Sequence, residues 1–264
     1  MVPPLQMPQL PPEALPALKD LLYRMADDAL IIGHRHSEWT GLGPILEEDI
    51  AFSSIAQDKI GHAYALYRLL HELGEPEPDH AAFMRDAPQF RCCHLVEYPN
   101  GGYDFSLMRH LLFDLAEQWR YHLLERSSYE PLAQLAHKVR GEIKYHVFHA
   151  TQWVVHLGAQ GTEESHERMQ RALLQALPLA LGIFEPSEYE ELLAGHAIFP
   201  GERVLQSHWW ETLLPILERA QLQVPPLETL TPAYGGRRGQ HTEYLQPLLD
   251  EMTEVFRSDP TAQW

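Results

Sequence analysis

In the run IAQDKIGHAYALY, Ile55 to Tyr67, His62 is preceded three residues earlier by Lys59. A carboxylate at that spacing lies one helical turn from the histidine, and the two side chains together hold one iron of a carboxylate-bridged pair. An ammonium in that position repels such metals and supplies a cation of its own. His146 has Ile143 at the same spacing, so neither Glu-x-x-His pair is intact. Asp58 and Glu142 stand four residues before the two histidines, on the same helical face but rotated as ligands. Asp28, Asp114 and His149 also fall on apolar stripes. Burying such groups unpaired costs several kcal/mol, so these residues are expected to form one polar layer. Within it Lys59 is the stand-in for a metal, paired with Asp28, Asp114 and Glu142. The residues alone leave two alternatives open, another bound ion and a di-iron site with an altered ligand set.

Positioning these groups requires long helices. Leu15, Leu18, Leu22, Met25, Ala29 and Ile32 recur at steps of three and four and predict a first helix over 13–40. A second stripe runs through Ile45, Phe52, Ile55, Ala56, Ala63, Leu66 and Leu70; a third through Leu107, Leu111, Tyr121 and Leu124; a fourth through Leu132, Leu135, Val139, Trp153 and Leu157. Short links join the first to the second and the third to the fourth, whereas 74–103 make a long crossover. That order predicts an all-α, ferritin-like four-helix bundle over about 13–157. Shorter helices near 164–183, 187–195, 202–221 and 241–257 flank it within a single domain. No convincing alternation of β-branched residues marks a strand.

Composition excludes several classes. The formal net charge of -17 repels phosphate backbones and anionic membranes, so nucleic acid is not an expected partner. No run of eighteen apolar residues marks a membrane span, and the start has no secretory pattern, which makes a cytoplasmic protein the expectation. Cys92 and Cys93 are adjacent, a poor geometry for pairing, and read as reduced, half-buried thiols.

Weaker signals remain. GGRRGQHTEYL, 235–245, joins flexible glycines to Arg237 and Arg238 before a helix start, which suits an anion contact or a docking loop. Glu163 to His166 is an intact Glu-x-x-His, but it opens a helix and reads as a dipole-favoured first turn. His34 and His36 fall on different faces near a helix end. Trp209, Trp210 and Trp264 are candidate core or interface anchors.

Four stretches, ADDALIIGHRHSEWTGLGPILEEDIAFSSIAQDKIGHA, RDAPQFRCCHLVEYPNGGYDFSLMRHLLFD, EIKYHVFHATQWVVHLGAQGTEESHERMQ and GGRRGQHTEYLQPLLDEMTEV, together with the closing AQW, resemble the C subunit of the bacterial ring-1,2-phenylacetyl-CoA epoxidase. This is the multicomponent monooxygenase of phenylacetate degradation. The resemblance spans nearly all of the chain beyond Lys19. It implies a bundle paired with a homologous A subunit that carries the di-iron centre and binds the acyl-CoA, with a B subunit and a reductase in the larger complex. It also implies that the C subunit is structural and holds no metal of its own. A homodimer is a further state open to the chain alone.

Overall fold

The computed structural model describes residues 11–262. Among them lie α1 (Leu15–Ser37), α2 (Leu46–Glu72), α3 (Pro78–Phe83), α4 (His94–Glu97), α5 (Tyr103–Leu124), α6 (Glu130–Val155), α7 (Glu163–Leu181), α8 (Glu190–Gly195), α9 (Glu202–Arg219) and α10 (Leu245–Ser258), with no strand among the described residues. The long helices α1, α2, α5 and α6 have 23, 27, 22 and 26 residues, about 33–40 Å at 1.5 Å per residue. The first turn of α2 carries Glu47, Glu48 and Asp49, where the helix dipole favours negative charge. Just past its end Gly74 adopts a φ of 92°, a conformation that suits glycine.

The bundle is two helix pairs. α1 lies along α2, and α5 along α6, while α2 and α6 stand farther apart and are bridged by side chains from Glu48–His149 to His62–Glu142. Gly33 permits the first pairing, because a Cβ there would come within 2.9 Å of the Ile60 side chain. α5 also packs on α7 and α9, which is why it is buried nearly all round. Trp209 of α9 is fully buried and donates its indole N–H to the Leu112 carbonyl at 2.9 Å, so it is a core residue. Trp210 is half-buried against the same core, and Trp264 lies outside the described residues. The flanking helices therefore share one core with the bundle.

Several boundaries differ from expectation. α1 ends at Ser37 rather than near 40, and α10 starts at Leu245 rather than 241, because 239–244 are held as loop against the crossover. Ile45 is exposed and sits just before α2. Leu157 falls in a wider, π-type turn, His156–Gln160, that closes α6. Glu163 does lie in the first turn of α7, whose N-cap Thr162 accepts from the Ser165 N–H at 3.2 Å.

Candidate functional site

Lys59 points from the middle of α2 into the bundle and is fully buried. Its ammonium donates to Asp114 at 2.5 Å and to Glu117, both on α5. Asp114 and Glu117 are three apart on one helical face and clasp the same cation. Asp114 is also contacted by His110 Nδ1 at 2.7 Å and His146 Nδ1 at 3.1 Å. Burial works to raise the Asp114 carboxyl, but Lys59 and the two rings outweigh it and hold the group well below the carboxylate range. Glu117 moves the other way, raised by burial and only partly relieved by Lys59.

Two arms leave this centre. Through His146, Nε2 reaches Asp58 at 3.1 Å, and nearby His62 Nε2 meets Glu142 at 2.7 Å. Both outer carboxylates lie on the α2/α6 groove, with Asp58 33% and Glu142 47% exposed in their side chains. Burial and then the Lys59 charge push His62 down to about 3, so its ring is neutral at neutral pH. The other arm runs from His110 Nε2 to His149 Nδ1, 3.4 Å apart, and on from His149 Nε2 to Glu48 at 3.0 Å. Tyr103 donates its hydroxyl to Glu48. Burial opposes ionisation of Glu48, but the bonds from His149 and Tyr103 keep its carboxyl below the usual range.

Asp114, Lys59, His62 and His146 thus come together as their spacing predicts, and His149 joins them. Asp28 does not. It leans toward the crossover, where Oδ2 pairs with Arg237 at 2.7 Å and Oδ1 accepts the Cys93 N–H at 2.8 Å. Glu142 is in the network but on its solvent side, so it is no partner of Lys59. Sequence reasoning misses Glu117 and His110 because α5 is apolar on several faces, which hides a polar stripe. It misses Glu48, and takes His36 only for a helix-end residue, because both stand near helix ends, where polar residues are ordinary. The step from His110 to Asp114 to Glu117 was the available signal.

Arg237 is likewise an internal group. Its guanidinium donates to the carbonyls of Arg91 at 2.9 Å, Ile183 at 3.1 Å and Arg24 at 3.3 Å, besides pairing with Asp28. Its Nε has no partner, but the side chain is buried, so no anion from solvent reaches it. Gly236 lets the loop lie on the crossover, since a Cβ there would collide with the Cys92 carbonyl oxygen. Arg238 is largely exposed and pairs with Glu185 at 2.7 Å. The loop docks within its own chain. Cys92 and Cys93 beneath it are free and fully buried rather than half-buried, and burial pushes both thiols well up.

The donor set does not fit a carboxylate-bridged di-iron pair. The two innermost carboxylates, Asp114 and Glu117, come from one helix and are both committed to an ammonium. The fold and the layer define a ferritin-like bundle whose central cation is a lysine. The family model described as "Phenylacetic acid catabolic protein" matches residues 5–264, and the chain belongs to that family. It is 32% identical, over 91% of its length and 96% of the relative's, to the C subunit of the 1,2-phenylacetyl-CoA epoxidase of Escherichia coli (strain K12).

Proposed function

We propose that this chain is a non-catalytic, structural subunit of a phenylacetyl-CoA epoxidase, acting in phenylacetate catabolism beside a homologous A subunit that holds the di-iron centre and the acyl-CoA. The observation that carries this reading is Lys59, whose ammonium is clasped by Asp114 and Glu117 where a metal-bearing layer would place its ions. Oxygen activation needs a redox metal with an open position, and this layer offers a salt bridge.

The surface supports a partner. Along the outer face of α2 and α6, Ile50, Tyr145 and Phe148 are each at least half exposed. Between them lie Gly61 and Gly141, both exposed in helix interiors, with nothing within 4 Å of a Cβ built on either. Glycine in such a position costs about 1 kcal/mol against alanine, and no contact within the chain requires it. A close-packed neighbour would account for it, which supports the α2/α6 face as the contact with the A subunit. The B subunit and a reductase complete the assembly. Among the described residues no helix is long and apolar enough to cross a membrane.

The test is reconstitution of the complex. Leaving this chain out is expected to abolish turnover or leave the A subunit insoluble. The double variant His62→Gln, His146→Gln, once shown by gel filtration to assemble, is expected to turn over near the wild-type rate. An assembled complex without turnover would overturn the structural reading.

A further inference from the structure

Away from the central layer, the seam between the crossover and the 235–242 loop brings three ligand atoms of different chemistry together. Cys92 and Glu97 come from the crossover, and His241 comes from the loop, 144 residues after Glu97. All three are enclosed: Cys92 and the Glu97 side chain are 0% exposed and the His241 side chain 4%.

Their neighbours decide which atoms face inward. His241 Nε2 meets the Phe90 carbonyl at 3.1 Å, so it carries the N–H and leaves the lone pair on Nδ1. Glu97 Oε2 is taken by the Thr242 N–H at 2.7 Å and the Thr242 hydroxyl at 2.6 Å, so Oε1 is the oxygen left over. That oxygen and the His241 lone pair face each other at 2.7 Å. Two acceptors so close repel unless a positive charge lies between them. A ring N–H given to a carbonyl and a carboxylate held by hydrogen bonds are also the supports that orient metal ligands.

Cys92 makes room for more than a proton. Its Sγ lies 3.8 Å from Glu97 Oε1 and 3.9 Å from His241 Nδ1, the same two atoms. The three separations enclose a point about 2.1 Å from each atom, close to zinc bonds of about 2.0–2.2 Å to nitrogen and oxygen and about 2.3 Å to sulfur. An ion seated there asks for little movement of its donors.

The charges agree. Burial, and then the carboxylates of Glu97, Asp27 and Asp28, hold the proton on Cys92, so the surroundings favour positive charge at the sulfur. Asp27 and Asp28 have arginines of their own, Arg85 and Arg237, whereas the Glu97 carboxylate pairs only with His241. Arg35 reaches the Glu97 backbone carbonyl, and Arg91 the carbonyls of Pro88 and Phe90. When a divalent ion enters, the thiol proton and the proton between His241 and Glu97 leave to solvent, and one thiolate and one carboxylate balance the ion.

We propose that Cys92, Glu97 and His241 form a mononuclear site for a divalent metal of the zinc type. The mixed sulfur, nitrogen and oxygen set suits zinc. The ion fastens the 239–244 loop to the crossover, and the site shares no residue with the layer that Lys59 fills.

The experiment is a titration of the full chain, stripped of metal, with Zn2+ by calorimetry and with Co2+ by absorption. One ion per chain is expected, with a thiolate-to-cobalt band in the near ultraviolet and a rise in melting temperature. Cys92→Ala is the decisive variant, since the thiol makes only long contacts that its loss would break; Cys92→Ser, of nearly the same volume, serves should the alanine chain not fold. In either, the cobalt band is expected to vanish and the Zn2+ affinity to fall at least about tenfold. Cys93→Ala, whose side chain offers no donor to the cluster, is expected to keep both. The proposal is overturned if the chain takes up neither ion, which would mean that a proton alone bridges His241 and Glu97. It is equally overturned if uptake and spectrum are unchanged in the folded Cys92 variants, which would place the metal on other side chains.

Discussion

Buried charge is handled in two ways in this molecule. Where the crossover and the 235–242 loop meet α1, carboxylates are closed off. Asp28 is held by Arg237 and the Cys93 N–H; Asp27 by Arg85, the Tyr67 hydroxyl and the Arg91 N–H; Glu97 by His241 and by the Thr242 N–H and hydroxyl. In the central layer one lysine serves two carboxylates, His36 has no partner, and His62 leaves Nδ1 unsatisfied. The first region fastens long-range segments and resembles any well-paired salt bridge. The second keeps the outline of a site, with one side turned to the α2/α6 groove. Saturation of the carboxylates, rather than residue type or the pairing of every polar atom, separates a fastening from a site, since Arg237 Nε is itself without a partner.

The sharpest way to break this comparison is to remove one cation from each region. Arg237→Met would strand Asp28 and leave three backbone carbonyls short of a donor. A broken buried pair costs about 3–5 kcal/mol, and this variant is expected at the upper end, measured by urea denaturation. Lys59→Met is expected nearer the lower end, about 3 kcal/mol, because Glu117 is already raised by burial and can take a proton. In that variant the stranded carboxyls have raised folded pKa values, so the stability deficit should shrink as pH falls toward the carboxylate range. A Lys59→Met chain that melts like wild type would show that the layer is not held by this cation.

His62 sharpens the contrast through pH. Its folded pKa, lowered from 6.5 to about 3, means that the unfolded chain binds the proton first. Its contribution to stability is therefore present above about 6.5 and is lost as pH falls toward about 3. His62→Gln is expected to flatten the stability profile in that window, as read from melting temperature against pH. The smallest effect is expected at the groove. Gly61→Ala should stabilise the isolated chain by up to about 1 kcal/mol, whereas Gly61→Trp should leave its fold intact and prevent assembly with the A subunit. If the Gly61→Trp chain still assembles, the interface lies elsewhere.

Much of this was legible in the chain. The stripes of α1, α2, α5 and α6 are periodic, and the lysine three residues before His62 announces a layer with its own cation. Less legible was the direction in which a polar residue leaves its helix. Asp28 sits on the same seam as Met25 and Ile32, yet its carboxylate turns to Arg237, 209 residues away in sequence. Glu117 and His110 were hidden because α5 is covered by α6, α7 and α9, and a helix buried on all sides has no polar face to contrast with an apolar one.

The sequence by itself determined the four long helices, their pairing by short links and a long crossover, and the presence of Lys59 where a carboxylate would serve a metal. These follow from local periodicity and from residue chemistry at fixed helical spacing. Only the tertiary structure decided that Asp114 and Glu117 are the partners of Lys59, that Arg237 is an internal clamp rather than an anion contact, and that His110 lies between His36 and His149. Those outcomes depend on the rotation of each helix about its own axis and on where the crossover settles. Both are set by the packing of the whole core, which no local stretch encodes.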